Sequence, residues 1–396
     1  MTRRVLELQE YAARHWPRSE LREEVGATIW RHFGKQVDVE FPSPRTGDVW
    51  KLTSKGWVGF IPLNDDLGLA LRPKVPVRNL FRMLEVAYGL DTLRTFDTLY
   101  ECDQIDDLYE RVVLLLARLV LVRARRGLHR AYLNHHDRLP YLRGRLDVGR
   151  LLRAPWRAQL PCHFDEHTAD VAENQLLLWA LHVARRSGIC SEATLAVVRR
   201  AHRLLRARVD LHPCDASEYL TRNYDRLTED YRPLHALGWF VVEHAGPAHQ
   251  CGDREMVPFL LDMNRLFERF VASWLRRHLP EGHHIRAQQR LQFGENGDVR
   301  FIVDLVLTDR LGAPRAVMDT KYKRSTSPRS ADVAQVVAYS QALGVREAML
   351  IYPTTAADWD GWVGDTHVRA LGFDLGGDLG EAGAGVMKWL IGLGEA

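Results

Sequence analysis

The stretch 299–339 constrains the fold most, because two predicted strands and a predicted helix follow one another there and carry both acidic and basic side chains. Residues 299–307 are almost entirely apolar, as expected of a strand that is covered on both faces. Asp304 interrupts this run, and a buried carboxylate is costly unless it is paired or bound to a metal. Gly312 marks a turn, so we expect Asp304 and Asp319 on neighbouring strands of one hairpin.

The second strand carries Asp319 and Lys321, which are two residues apart and therefore project from the same face. Together with Asp304, Asp319 offers hard oxygen ligands of the kind that Mg²⁺ prefers, with Mn²⁺ as a substitute. An ammonium beside such a metal can orient water or stabilise charge during phosphodiester hydrolysis. The alternative for an isolated Asp-x-Lys is an ordinary ion pair on an exposed strand.

A helix is predicted directly after these strands, over residues 331–343, with Gly344 at its end. Gln335 and Tyr339 are four residues apart and so lie one turn apart on the same face. Gln335 would suit a contact with a phosphate or with metal-bound water, and Tyr339 would suit a supporting contact. The alternative is a helix with two satisfied polar residues.

Glu268 is a further candidate ligand on an upstream amphipathic helix, over residues 263–275. It can enter the same site from the helix end, or it can form a surface ion pair with Arg265 or Arg269. The positions predicted to be buried on this helix are Leu266, Phe267, Phe270, Val271, Trp274 and Leu275.

The order of these elements resembles the PD-(D/E)xK nuclease superfamily: a Glu helix, an Asp strand, an Asp-x-Lys strand and a Gln-x-x-x-Tyr helix. More closely, the chain is similar to the McrC family, the nuclease subunits of McrBC-type modification-dependent restriction systems. The segments that carry this resemblance are 71–75, 79–84, 173–177, 266–268 and 318–323. Val303 stands where the superfamily usually has Pro before its first Asp, a position that shapes the strand and supplies no ligand.

The resemblance implies a Mg²⁺-dependent endonuclease that acts on double-stranded DNA carrying a 5-methylcytosine type of modification. It implies metal binding by Asp304, Asp319 and Glu268, catalytic assistance by Lys321, and supporting roles for Gln335 and Tyr339. It also implies a partner, a McrB-like AAA+ GTPase hexamer that recognises and translocates the DNA. The chain itself has one Gly-Lys dipeptide, Gly34-Lys35, which lacks the upstream glycine of a phosphate-binding loop, so we expect no nucleotide on this chain.

The composition is that of a soluble globular protein, with 46% hydrophobic and 27% charged residues among 396. A net charge of +3 requires any DNA-binding surface to be local. The five cysteines are scattered and odd in number, which favours reduced thiols in a cytoplasm. Neither a signal core nor an apolar run of membrane-spanning length is present, so we expect a cytoplasmic protein.

We expect an α+β multidomain fold in three segments: a β-rich N-terminal domain (1–100), a helical connecting domain (101–250) and an α/β nuclease domain with a mixed sheet (251–396). The resemblance implies that the first segment contacts the GTPase, with Trp50 or Trp57 as candidate contacts. Before its strands we expect an opening helix, and at 54–57 a hairpin. Arginine-rich helices in the second segment either track DNA phosphates or form solvated faces with internal ion pairs.

Two other functions fit the same residues. One is a non-catalytic activator of an AAA+ partner, in which GTP turnover is stimulated and DNA is never cut. The other is a stand-alone DNA repair or recombination nuclease, which would digest from ends without a partner.

Overall fold

The computed structural model describes residues 4–64, 66–89, 105–219, 222–251, 254–293, 299–323, 327–354 and 359–392. The contacts divide the chain into two compact units. Unit 1 contains residues 1–108, 249–254 and 258–396, and unit 2 contains residues 109–248 and 255–257. The first and third predicted segments thus lie in the same compact unit, while their standing as separate domains stays a prediction.

The predicted opening helix is present over Glu23–Phe33, although two strands that were not predicted precede it. Elements of the N-terminal part are β1 (Arg4–Gln9), β2 (Ala13–Trp16), α1 (Glu23–Phe33), β3 (Val37–Glu40), β4 (Trp50–Ser54), β5 (Trp57–Pro62), β6 (Leu67–Arg72) and α2 (Val77–Tyr88). The order β2-β4-β3 forms one antiparallel sheet, whereas β5 belongs to another. The predicted hairpin at 54–57 is therefore a turn between two sheets. Trp50 is 2% exposed and packs in the core beside α1, so it is not an exposed partner contact.

The middle of the chain combines helices with a three-stranded antiparallel sheet, of order β7-β9-β8, that the sequence analysis missed. Its elements are α3 (Ile105–Arg126), β7 (Ala131–Leu139), β8 (Arg145–Leu146), α4 (Val148–Arg153), β9 (Leu160–Thr168), α5 (Ala172–Arg185), α6 (Glu192–Arg206) and α7 (Arg232–Glu243). On the arginine-rich helices several cations are neutralised within unit 2. The pairs are Arg123–Asp230 at 3.1 Å, Arg199–Glu192 at 3.0 Å and Arg206–Asp210 at 3.1 Å.

The C-terminal part contains a six-stranded mixed sheet with helices packed on it. Its elements are β10 (His249–Cys251), β11 (Arg254–Met256), β12 (Phe259–Asp262), α8 (Met263–His278), β13 (His284–Phe293), β14 (Val299–Thr308), β15 (Pro314–Thr320), α9 (Ser330–Leu343), β16 (Glu347–Tyr352), β17 (Trp359–Val363), β18 (Thr366–Gly372) and α10 (Leu379–Gly392). The sheet order is β13-β14-β15-β16-β18-β17. Strand β12 instead joins the N-terminal strands in the sheet β1-β6-β5-β12.

Two hydrophobic cores are seen among the described residues of unit 1. One surrounds α1 and the N-terminal strands, and the other lies between α9 and the six-stranded sheet. All six positions predicted to be buried on α8 are buried. A mixed α/β fold with several sheets is thus confirmed, and the glycine-containing segment Leu379–Gly392 forms α10. No helix within the described ranges has the length and apolarity needed to cross a membrane.

Candidate active site

Asp304 and Asp319 lie on adjacent antiparallel strands, as the sequence predicts. Leu305 on β14 pairs with Met318 on β15, and each aspartate is the next residue outward from this pair. The backbone N–H and the hydroxyl of Thr320 both donate to Oδ2 of Asp304, at 2.9 and 3.0 Å. Thr320 therefore fixes one carboxylate oxygen and leaves the other available to a ligand.

Lys321 lies one residue beyond the end of β15, and not inside the strand as predicted. Its backbone N–H still donates to the carbonyl of Ile351 on β16, at 2.9 Å, so its position is fixed by the sheet. Its Nζ is 2.7 Å from Oδ2 of Asp319. The same-face relation of Asp319 and Lys321 is therefore preserved.

Gln335 and Tyr339 extend this contact into α9. Nζ of Lys321 donates to Oε1 of Gln335 at 2.9 Å, and Nε2 of Gln335 donates to the hydroxyl of Tyr339 at 2.6 Å. Tyr339 is buried in the core between α9 and the sheet, whereas Gln335 is exposed. The chain of contacts holds the ammonium group in one place beside Asp319.

Asp319 is buried to 1% exposure. Burial, and next the negative charge of Asp304, raise its pKa to about 7, although Lys321 acts in the opposite direction. Burial, the largest single influence, would lower the pKa of Lys321, but the charge and hydrogen bond of Asp319 together with the charges of Asp304 and Asp332 outweigh it, and the pKa is raised. Oδ2 of Asp319 has no hydrogen bond of good geometry, since Lys321 is close but poorly aligned. This is a buried carboxylate oxygen that lacks a full set of partners.

Glu268, on α8, lies close enough to Asp304 for their charges to interact. Burial, and next Asp304, raise the pKa of Glu268 to about 7. Nε2 of Gln288 donates to Oε1 of Glu268. Gln288 has φ of 53°, a left-handed conformation that is costly for a residue with a side chain. It lies between the pairs Ala287–Leu305 and Gln289–Val303, at the level of Asp304 on the neighbouring strand.

A cleft of about 800 Å³ lies beside these residues in unit 1. Glu268, Asp304 and Lys321 line the cleft directly. Asp319, Gln335 and Tyr339 are not among its lining residues, so they act on it through their contacts with Lys321 and Asp304.

The donor set fits a hard divalent cation such as Mg²⁺. It consists of carboxylate oxygens, one of them buried without adequate hydrogen bonds, and Mg²⁺ is held by one or two carboxylates with water completing its shell. The ligand oxygens of Asp304, Asp319 and Glu268 do not all lie within 4.8 Å of one another. The charge of Asp304 acts on both Asp319 and Glu268, so Asp304 is common to either pair of candidate ligands.

Within the described ranges, the acidic and imidazole side chains that do come within 4.8 Å of one another are Asp170, Asp210 and His212 in unit 2. Asp170 already accepts hydrogen bonds from Gln175 and from the backbone N–H of Asp210. The carboxylate of Asp210 pairs with Arg206. Two of the three side chains are thus already engaged by other groups of the protein.

Several residues around the cleft were missed in the sequence. Thr320 lies between two predicted site residues, and strand alternation places its side chain on the other face. Gln288 has no local signal, because its role depends on a backbone conformation and on a contact with a distant helix. Lys323, 2.5 Å from Asp332 at the start of α9, was also missed.

The family model described as McrBC 5-methylcytosine restriction system component matches residues 52–353. The chain belongs to this family. The matched range includes all six predicted site residues.

The chain is 22% identical over 332 residues to the type IV methyl-directed restriction enzyme EcoKMcrBC of Escherichia coli strain K12, covering 77% of this chain and 92% of the relative. Its structure matches the McrC chain of a Thermococcus gammatolerans assembly, a half-complex of McrB AAA+ hexamers with bound McrC. That match has a TM-score of 0.57 at 19% identity and covers 98% of this chain and all of the other. At this identity the likeness shows a shared fold.

Proposed function

We propose that this chain is the Mg²⁺-dependent DNA endonuclease subunit of a modification-dependent restriction system, with a PD-(D/E)xK-type site in residues 251–396. The observation that carries the proposal is the buried carboxylate of Asp319, held between Asp304 and the ammonium of Lys321 beside one cleft. Membership of the McrBC family supports the same activity.

The residues have distinct roles in phosphodiester hydrolysis. Asp304, with one oxygen fixed by Thr320, and Asp319 would hold the metal, and Glu268 would add negative charge beside Asp304. Lys321 places a positive charge where the attacking water and the pentavalent phosphate would lie, which stabilises the transition state. Gln335 and Tyr339 keep Lys321 in position. Bound Mg²⁺ would lower the pKa of water and polarise the phosphate.

A GTPase partner and a modified DNA substrate complete the proposal. The E. coli relative is named as methyl-directed, and the T. gammatolerans McrC is bound to AAA+ hexamers. In this chain Gly34 ends α1 and Lys35 lies before β3, so the dipeptide follows a helix. A phosphate-binding loop instead links a strand to the start of a helix. Nucleotide hydrolysis is therefore assigned to a McrB-like partner in the cytoplasm, and none to this chain.

The test compares Asp319→Asn with wild type in cleavage of 5-methylcytosine-containing duplex DNA, with Mg²⁺, GTP and the McrB-like partner. We expect loss of at least about 1,000-fold in rate, because metal and Lys321 both lose their charged neighbour. Asp365→Asn is the matched control, since Asp365 is exposed in the turn between β17 and β18. It should cut at the wild-type rate.

The outcomes also separate the alternatives. Full cutting by Asp319→Asn refutes the site. Normal stimulation of GTP turnover by wild type with no cutting in Mg²⁺ or Mn²⁺ indicates a non-catalytic activator. Digestion from DNA ends in the absence of any partner indicates a stand-alone repair or recombination nuclease.

A further inference from the structure

One wall of the cleft comes from the N-terminal part of the chain. The cleft that holds Glu268, Asp304 and Lys321 is also lined by residues far away in sequence. These are Glu10, Tyr11, Lys74, Val75 and Pro76. The segment that carries Lys74 therefore contributes to the nuclease cleft itself.

This N-terminal wall is fastened to the strand that carries the candidate catalytic residues. Glu10 is fully buried, and its Oε2 accepts from the hydroxyl of Tyr322 at 3.3 Å and from the backbone N–H of Lys74 at 3.2 Å. The hydroxyl of Tyr11 donates to the carbonyl of Tyr322 at 3.4 Å. Because Tyr322 directly follows Lys321, these bonds fix Tyr11 and Lys74 relative to the site.

Lys74 is a cation without an acidic partner among the residues that the structure describes. Its Nζ lies 5.4 Å from the ring centroid of Tyr11, which is 44% exposed. By contrast, Lys321 and Lys323 are already paired with Asp319 and Asp332. Lys74 is thus free to neutralise a charge that enters the cleft.

The balance of charge in the cleft explains why such a cation is needed. Among the described residues, five acidic side chains line it: Glu10, Asp262, Glu268, Asp304 and Asp374. Five basic ones do so as well: Lys74, Arg265, Lys321, Lys323 and Arg329. A DNA strand brings one negative charge per nucleotide, so unpaired cations must offset the carboxylates along its path.

We propose that Lys74 and Tyr11 form a nucleotide-binding subsite for the strand that is cut, one that rests on the nuclease function proposed above. Lys74 binds a phosphate next to the scissile one, and the exposed ring of Tyr11 packs against the adjoining sugar or base. Aromatic rings beside lysine are well suited to this, because stacking tolerates any base while the ammonium follows the backbone.

The test measures binding of a fluorescently labelled duplex by the isolated full-length chain, with Ca²⁺ in place of Mg²⁺, over a series of salt concentrations. Lys74→Ala should weaken binding several-fold and reduce the slope of log affinity against log salt by about 0.9, the value for one lost phosphate contact. Lys74→Arg should restore both. Lys35→Ala is the matched control, because Lys35 is exposed, unpaired among the described residues and outside the cleft.

The aromatic part is tested by Tyr11→Leu against Tyr11→Phe, which keeps the ring. We expect weaker binding from the leucine variant alone. An unchanged salt slope in Lys74→Ala, or an equal loss in Lys35→Ala, overturns the subsite. Cutting by the complex with the partner, without duplex binding by the isolated chain, overturns the subsite and leaves the nuclease function standing. Absence of both binding and cutting overturns both.

Discussion

Asp319 combines near-complete burial with a carboxylate oxygen that lacks a well-formed hydrogen bond. Burying an ionised group without full compensation is unfavourable by several kcal/mol. This cost favours the protonated carboxyl of Asp319 and raises its pKa to about 7. A divalent cation would favour the ionised form. The same group that would hold the metal therefore destabilises the metal-free fold at neutral pH and above.

This predicts how stability in EDTA depends on pH. Between the unfolded pKa, about 4, and about 7, folded Asp319 keeps a proton that the unfolded chain has lost. Its contribution to stability is therefore fully present below about pH 4 and is lost as the pH rises through 7. Between pH 5 and pH 8 the melting temperature measured in EDTA should decrease less in Asp319→Asn than in wild type. An identical decrease in the two proteins contradicts the raised pKa.

Tyr339 supports a separate prediction about rate. Tyr339→Phe removes the acceptor of Gln335 and so loosens Lys321, and we expect cleavage to slow by roughly tenfold while stability falls by about 1 kcal/mol. Tyr219→Phe is the control, since it also removes a buried hydroxyl, one that donates to a carbonyl in unit 2. Both variants should melt slightly earlier, but only Tyr339→Phe should cut more slowly. Equal rates would assign Tyr339 to packing alone.

At the scale of elements, helices with a clear apolar stripe or a glycine stop were predictable. The buried face of α8 follows the helical period, and α9 ends at Gly344 with a left-handed φ of 68°. The strands between residues 131 and 168 were not predicted, although the sequence marks the end of the helix before them. Gly127, with φ of 103°, follows the basic last turn of α3, and glycine after such a turn is a typical helix end.

Helix α10 could not be predicted, because its cause is tertiary. Its glycines disfavour a helix locally, yet Val386, Trp389 and Leu390 gain burial in the folded chain. Gly383 is required there by space: a Cβ would lie 2.1 Å from the ring of Trp274 on α8. The candidate site shows the same division, since alternation and spacing within elements led to the six predicted residues, whereas the contacts of Gln288 and Thr320 lie between elements.

Two glycines of α10 give a matched test of this packing. Gly383→Ala should destabilise unit 1 by about 1–3 kcal/mol, because the rigid ring of Trp274 must move. Gly385→Ala makes the same change on the same helix, with nothing within 4 Å of its Cβ, and should stabilise by roughly 0.5–1 kcal/mol through helix propensity. Chemical denaturation of both variants decides this. Equal effects would show that α10 is not packed on α8 as described.

For the whole molecule, the arrangement of the chain in unit 1 has a functional consequence. Strand β12 pairs antiparallel with β5, with Leu260 opposite Gly59, and α8 follows β12 immediately. At Gly59 a Cβ would lie 2.0 Å from the carbonyl oxygen of Phe259, so this close approach requires glycine. The N-terminal sheet therefore positions the helix that carries Glu268. Sequence segments predicted separately thus build one site.

The two units should respond to acid in opposite directions. In unit 2, burial, and next Arg185, lower the pKa of His202 to about 4, and burial does the same for His235. Below about pH 6.5 the unfolded chain takes up protons that the folded unit refuses until about pH 4, so stability is lost as the pH falls through this window. Unit 1 without metal shows the reverse trend because of Asp319.

Calorimetry in EDTA tests this with His202→Leu. Nε2 of His202 is buried and has no hydrogen-bond partner among the described residues. The substitution therefore removes a titrating group without breaking a hydrogen bond at this atom. We expect the unfolding temperature of unit 2 to fall less between pH 7.5 and pH 5 in this variant than in wild type. The unfolding temperature of unit 1 should be the same in both proteins. His136→Leu, at an exposed histidine of the same unit, should keep the full wild-type shift. An acid shift of wild-type size in His202→Leu would mean that other groups set the acid sensitivity of this unit.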